Sequence, residues 1–360
     1  MKLALLNLPF DSNYGGNLQR YALITILQRN CYDVEHINLR FNYNLSWYKI
    51  PFYYSIRIIK KLIFNDKKPI LLEQQLTKDA IKRSKVAEIF YNKYIPHTKP
   101  INNKKELRLL PKYNAYIVGS DQVWRKSMTR AYGLSTYFFD FIDDASLIKI
   151  AYGVSLGSNE NELTQNEILQ LSKLYEKFDA VSVRESSAID MLQNYKWTNP
   201  KAIQVLDPTF LLSKEDYNKL IDEGNTYQSP GNIFCYILDN NSEKEKKIFE
   251  VTSHLKGNPF YIDPQKGDIS IEQWLRSFRD ANHVITDSFH GLVFSIIFNK
   301  SFTLIRNKKR GNARFDSVLK ILKIQENEQD LNWSTINLII QQEKKKAINF
   351  LTQSLKQNHK

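Results

Sequence analysis

Residues 2–8 form a short apolar run that stops at Pro9 and gives way to Asp11-Ser12-Asn13-Tyr14-Gly15-Gly16, a stretch of turn-forming residues. Leu18, Tyr21, Ala22 and Ile26 then recur at helical spacing, and Val34 to Leu39 reads as a second strand. Strand, glycine turn, helix and strand in that order make a βαβ unit, and such a unit commits a chain to a parallel sheet covered by helices.

The alternation continues. Strands are predicted at Tyr113 to Val118, Ile148 to Val154, Ala180 to Val183 and Ala202 to Leu206, so residues 1–210 read as one Rossmann-like domain ending near Asp207-Pro208-Thr209. Residues 211–330 restart the pattern. Strands are predicted there at Ile233 to Leu238, Phe260 to Ile262, His283 to Thr286 and Phe302 to Ile305. Helices are predicted near Lys244 to Leu255, at Ile271 to Phe278 and from His290. Residues 331–360 carry a last, partly amphipathic helix, Ser334 to Leu355. A chain of 360 residues has room for two such cores. The expected fold is therefore α/β, with two Rossmann-like domains facing a cleft, and parallel sheets bind ligands at the carboxyl ends of their strands.

With 42% hydrophobic and 12% aromatic residues the composition is that of a globular protein rather than a disordered one. No run approaches the ~18 apolar residues of a spanning helix. Leu3 to Leu8 is too short for a signal-peptide core and lacks a small-residue cleavage site after it. Cys31 and Cys235 are far apart and flanked by residues typical of element interiors, which predicts reduced, buried thiols and a cytoplasmic location. A net charge of +13 favours anionic partners. Nucleic acid is set aside, because no helix-turn-helix, zinc finger or aromatic-basic RNA motif occurs. Neither the dinucleotide fingerprint nor the phosphate-loop pattern is present, and no Cys/His cluster has metal-ligand spacing. No obligatory cofactor or metal is expected.

The chemistry is concentrated in strand-end loops. Asp11 to Asn17, Gly119-Ser120-Asp121-Gln122, Ser155-Leu156-Gly157, Arg184-Glu185 and Asp287-Ser288-Phe289-His290-Gly291 each follow an apolar run, and a doubly wound topology brings such loops to one cleft. A glycine turn opening a helix offers free N–H groups and a positive dipole end to a phosphate or carboxylate. His290, beside Asp287 and Ser288, is the candidate for proton transfer, against the plainer reading of a packed imidazole in a capping turn. Arg306, Lys308, Lys309, Arg310 and Arg314 crowd one loop, as a cationic rim of the cleft or as a solvated basic stretch. Between Trp47 and Phe64, Phe52, Ile56, Ile59 and Ile63 share one helical face while Arg57, Lys60 and Lys61 flank it. This pattern fits either a membrane-surface helix or a core-facing helix with a wet side.

Taken together, Asn13-Tyr14-Gly15-Gly16-Asn17-Leu18-Gln19, Gly119-Ser120-Asp121-Gln122-Val123-Trp124, Ser182-Val183-Arg184-Glu185, Asp207-Pro208-Thr209 and Thr286-Asp287-Ser288-Phe289-His290-Gly291 resemble the polysaccharide pyruvyl transferase family, from about residue 10 to 322. The resemblance implies two domains arranged as in glycosyltransferases of the B type. It further implies phosphoenolpyruvate as co-substrate and transfer of its enolpyruvyl group to a sugar as a ketal. It casts His290, Arg184 and Asp287 as catalytic, with Arg184 holding the donor's carboxylate or phosphate in a bidentate fork. Ser288, Phe289, Gly291, Arg310, Asn312 and Arg314 fall to the donor, on the second domain. Asn13, Gly15, Gly16, Asn17, Ser120, Asp121 and Gln122 fall to the acceptor, on the first. The chain departs from the family where Ser288 stands in place of an arginine two residues before the histidine, and Arg310 or Arg314 is expected to supply the missing cation. The acceptor is expected to be a bacterial polysaccharide precursor, polyprenyl-diphosphate-linked, met at the inner face of the cytoplasmic membrane. A sugar-nucleotide glycosyltransferase is the alternative, because one architecture serves both activities.

Overall fold

A parallel strand covered on both faces has no side open to water, and every residue of Ile148–Val154 is buried, even Lys149, whose ammonium donates to the Asp144 carbonyl at the strand's edge. The strand lies inside the first of two sheets. In the computed structural model, which describes residues 1–41, 43, 49–65, 67, 69–157, 160–263, 266–306, 312–326, 328 and 330–356, the chain begins β1 (Lys2–Leu6), α1 (Tyr14–Arg29), β2 (Asp33–His36), α2 (Ile50–Phe64), α3 (Leu72–Tyr94) and β3 (Ala115–Val118). It continues β4 (Ile148–Val154), α4 (Gln165–Tyr175), β5 (Ala180–Val183), α5 (Ser186–Asn194) and β6 (Ile203–Gln204). The six strands pair in parallel in the order β2-β1-β3-β4-β5-β6.

A second unit follows: α6 (Lys214–Glu223), β7 (Ile233–Tyr236), α7 (Ser242–Leu255), β8 (Pro259–Tyr261), α8 (Ile271–Asp280), β9 (His283–Thr286), α9 (Phe289–Ile297), β10 (Ser301–Leu304) and α10 (Ala313–Ile321). Its four strands are also parallel, ordered β10-β9-β7-β8. Local chemistry sets where helices begin. Thr164 with Glu167 and Ser213 with Asp216 form capping boxes at the starts of α4 and α6, each satisfying two backbone N–H groups the helix leaves open. The last helix, α11 (Trp333–Lys356), returns to the first unit, packing on the Pro208–Leu211 turn and on β4, where Phe350 meets Tyr152.

Strand order matters more for function than strand number. From β1 the chain moves to β2 on one side and then to β3 on the other; from β7 it moves to β8 and then to β9. Each sheet thus has a switch point where successive loops part and leave a crevice at the strands' carboxyl ends. One hydrophobic cluster runs through both units, from Leu3, Leu18 and Ile24 to Trp274, Phe278 and Phe294, so the two crevices face each other across a shared core. Trp274 is the hinge of that core. It is fully buried, stacks on Tyr14 of the first unit with centroids 5.4 Å apart, and packs edge-on against Tyr236, Phe278 and Phe294 of the second.

The expected strands are present, three of them (β4, β5 and β9) with the expected boundaries. One expectation fails. Cys235 is buried but Cys31 is exposed, because it lies just past the C-cap Asn30 of α1 in a left-handed turn (φ 64°) rather than inside an element; both thiols are free. The described part of the 47–64 segment is helical, Trp47 lying outside the described residues, and it buries no residue.

Truncating Trp274 to Ala removes the ring that joins the two units. The expected cost is about 3–5 kcal/mol, read as a lowered urea midpoint at unchanged m-value.

Candidate functional site

The two switch points enclose a cavity of about 280 Å³. The first unit contributes Asp11, Ser12 and Asn13 from the loop after β1, Tyr14 and Gly15 from the first turn of α1, and Asp121 and Gln122 from the loop after β3. The second contributes Tyr236 and Leu238 at the end of β7, Asp287 to His290 after β9, and Arg314 and Phe315 of α10. Two helix N-termini open here: α1, where the Asn13 side chain accepts from the Gly16 N–H, and α9, where Ser288 accepts from the Gly291 N–H. N–H groups with no carbonyl to bond, at the positive ends of two helix dipoles, favour an anion.

His290 stands between the two halves. A Cβ on Gly15 would lie 2.0 Å from its Nδ1, so the loop after β1 accommodates the imidazole only because residue 15 has no side chain. Nε2 is 3.9 Å from Asp207 Oδ2 and, like the Tyr14 hydroxyl, is buried without a hydrogen-bond partner among the described residues. Both residues line the cavity, so a molecule bound there is within reach of the two unbonded atoms. Burial pushes the imidazole pKa down to about 4, overcoming the opposing pull of Asp207 and Asp121. At neutral pH the ring is uncharged, a proton acceptor.

Beneath the cavity lies a buried ion network. Asp207 Oδ2 accepts from Arg184 Nη1 at 2.7 Å and from Gln19 Nε2 at 2.5 Å, while Oδ1 accepts from the Thr209 N–H and hydroxyl. Arg184 also reaches Asp121 Oδ1 at 3.4 Å. Burial is the largest single influence on Asp207 and Asp121 and opposes their ionisation, yet Arg184, the other nearby cationic groups and backbone N–H bonds together outweigh it, and both carboxyls sit below their ordinary values. Arg184 and Arg314 lie 4.7 Å and 5.3 Å from the centroid of the Phe289 ring. Burial, and then the neighbouring Arg184 charge, lower the Arg314 pKa to about 10, which leaves it a cation at neutral pH in a setting that a bound anion would relieve.

The structure sorts the residues singled out above. Asn13, Gly15, Asp121, Gln122, Asp287, Ser288, Phe289, His290 and Arg314 line the cavity. Others lie behind it. Ser120 is buried and donates to the Gly153 carbonyl, Asn17 braces the Asp11 and Asn13 carbonyls, Gly16 serves the α1 cap, and Gly291 gives close passage to Thr286. Asn312 is the residue before α10, outside the lining. Arg184 is buried under the floor, and its partner is Asp207 rather than Glu185, whose carboxylate instead collects Ser155, Leu156 and Gly157. The Asp287 carboxylate accepts from the Leu238 and Asp239 N–H groups and pairs with Lys244 at 2.5 Å, so it braces the loop after β7. Arg306 pairs with Glu326 and Asp316. Lys308, Lys309 and Arg310 lie outside the described residues.

Sequence reasoning took Asp207 for a domain boundary and passed over Tyr14 and Gln19 as site residues. The signal for Asp207 was available: like Asp11, Asp121 and Asp287 it directly follows an apolar strand run, here Val205-Leu206. Among the described residues no three His, Cys, Asp or Glu side chains gather as metal ligands.

A sequence model of the polysaccharide pyruvyl transferase family matches residues 13–309. No curated protein matches the chain. Similar solved structures include the UDP-GlcNAc 2-epimerase of Methanocaldococcus jannaschii (TM-score 0.44, 12% identity, covering 95% of this chain and 92% of that one). The Neisseria meningitidis UDP-GlcNAc 2-epimerase bound to UDP-GlcNAc gives 0.42, 11%, 100% and 94%. A UGT transferase of Siraitia grosvenorii in complex with UDP gives 0.37, 8%, 98% and 95%.

The buried His36 and His290 and the half-buried His283 have pKa values lowered by desolvation. For His290 the unfolded chain binds more protons than the folded one between the ordinary 6.5 and about 4, so stability falls as pH is lowered through that window. One proton is worth at most about 1.4 kcal/mol per pH unit. His290→Gln is expected to flatten the slope of unfolding free energy against pH by that amount, in denaturant titrations run across the window.

Proposed function

The chain belongs to the polysaccharide pyruvyl transferase family, and from that premise we propose that the cavity between its two sheets binds phosphoenolpyruvate and transfers the enolpyruvyl group to a saccharide as a ketal. The observation that carries the reading is the meeting, in one small cavity, of a neutral buried histidine, the cation Arg314 and two helix N-termini. A phosphate and a carboxylate on three carbons match that set of donors. A volume of about 280 Å³ suits such a donor with one edge of a sugar better than a nucleotide sugar.

The proton ledger follows from the charge state of His290. The neutral imidazole takes the proton of the attacking sugar hydroxyl, and the imidazolium passes it to the methylene carbon, which becomes the methyl group. The sugar oxygen bonds to the neighbouring carbon. Phosphate then leaves with its bridging oxygen, and the second hydroxyl closes the ring, its proton departing with the phosphate. Asp207 stabilises the imidazolium as it forms, and the donor's negative charge acts in the same sense. In this reading Arg184 is a positioning residue: it holds Asp207, Asp121 and the Phe289 ring. Arg314 supplies the cation that the family carries where this chain has Ser288. Asn13, Asp121 and Gln122 face the acceptor. The acceptor is a polysaccharide precursor, polyprenyl-diphosphate-linked, taken at the inner face of the cytoplasmic membrane, and no cofactor beyond the donor enters.

The test is phosphate release from phosphoenolpyruvate over a panel of free and lipid-linked oligosaccharides, with acceptor masses followed. The expected result is phosphate release coupled to the gain of one pyruvate ketal. His290→Ala is expected to lower kcat by roughly 10²–10⁴-fold. Arg314→Ala is expected to raise the KM for phosphoenolpyruvate by about 10–100-fold, with partial recovery in Arg314→Lys. Calorimetry that finds a nucleotide sugar bound and phosphoenolpyruvate not bound overturns the reading.

A further inference from the structure

The helix α2 has a composition that water does not favour and a position that leaves it in water. Its sequence, IPFYYSIRIIKKLIF, holds no acidic residue, and none of its fifteen residues is buried. Phe52 is 64% exposed, Ile59 51%, Leu62 80% and Ile63 68%. At 3.6 residues per turn, Phe52, Ile59 and Ile63 form one stripe with Leu62 at its edge, while Arg57 and Lys61 fall on the opposite face. That opposite face is the one held down. Arg57 makes a two-pronged pair with Glu73 of α3, at 2.6 and 2.5 Å, and donates to the Ile70 carbonyl at 3.0 Å. The clamp decides which side of the helix faces out, and it is the apolar one.

We propose that this face docks on an anionic lipid surface, with Phe52, Ile59, Leu62 and Ile63 entering the headgroup layer, Lys60 at their flank meeting lipid phosphates, and Lys61, on the far side, adding attraction at longer range. Charge chooses the occupant: exposed lysines with no carboxylate on the helix complement acidic headgroups. Shape agrees, for the face is a single convex helix. Its length, roughly 22 Å at 1.5 Å per residue, falls short of a bilayer's ~30 Å core, so it lies in the plane of the surface. Among the described residues no helix is long and apolar enough to cross a membrane. The arm also reaches the site, since α3 runs on from α2 to pack on α1 and α8, which carry Tyr14 and Trp274. The inference rests on the proposed function only in making this surface the place where the acceptor is met; the docking itself needs neither donor nor acceptor.

The experiment is co-sedimentation of the full chain with vesicles of phosphatidylcholine containing one third phosphatidylglycerol, against phosphatidylcholine alone, with no substrate present. Wild type is expected to bind the anionic vesicles and to bind the neutral ones far less. The pairs Leu62→Ser/Ile63→Ser and Lys60→Glu/Lys61→Glu are each expected to lower binding by about ten-fold or more. All four side chains are exposed, so an unchanged melting temperature checks that the fold is kept. A wild-type chain that stays in the supernatant with both vesicle types overturns the inference. So does binding that neither pair affects. A dimer in gel filtration that the serine pair splits assigns the face to a second copy instead. Transfer to a free oligosaccharide is measured separately, so failure of docking and failure of the proposed reaction read differently.

Discussion

A buried carboxylate survives in a protein interior only when its charge is met at close range, because desolvation costs several kcal/mol per ion. Asp207 meets that condition through Arg184 at 2.7 Å, Gln19 and Thr209, with no exposed surface of its own. The partners come from different places: Gln19 from α1, Arg184 from the end of β5, Thr209 from the turn after β6. His290, from the other sheet, faces the same oxygen. One carboxylate thus joins three segments of the first unit and stands opposite the histidine of the second, and losing Arg184 would leave it uncompensated. The cavity floor depends on this pair as the cavity walls depend on the shared apolar core.

The same cluster sets the electrostatics of the site. Arg184 is largely spoken for by Asp207 and Asp121, so in the proposed reaction its part is indirect, through the side chains it holds and through Phe289. Among the described residues of the cavity lining, Arg314 is the cation. The imidazole between them is kept neutral by burial and so is ready to accept a proton, and negative charge brought in by a ligand would move its pKa upward. The proton transfer proposed for His290 asks for that behaviour: no charge at rest and a charge favoured once the anion is bound.

Much of this was legible in the residues. The strands at Ile148–Val154, Ala180–Val183 and His283–Thr286 announce themselves as apolar runs of strand length, because a parallel sheet buries both faces. Strand ends in such a sheet face the crevice, and eight of the site residues named from their loops line the cavity. Asp287 shows where the reading stops. Its neighbours Ser288, Phe289 and His290 line the cavity, yet its own carboxylate is taken up by Leu238, Asp239 and Lys244, residues some 43–49 positions away in sequence.

From its sequence alone the chain is determined as a parallel α/β protein of the pyruvyl transferase family, with polar loops at the ends of its strands. Periodicity and turn chemistry are local, so they can be read in order along the chain. Only the tertiary structure decided that Asp207 is the partner of Arg184 and faces His290, that Gly15 is a glycine because an imidazole from the other sheet occupies its side-chain space, and that α2 turns its apolar face outward. Each of these depends on contact between residues far apart in sequence, made when two switch points close on each other or when one ion pair, Arg57 with Glu73, fixes the rotation of a helix. Spacing along a chain specifies which face a side chain occupies, while what stands opposite that face is set by packing.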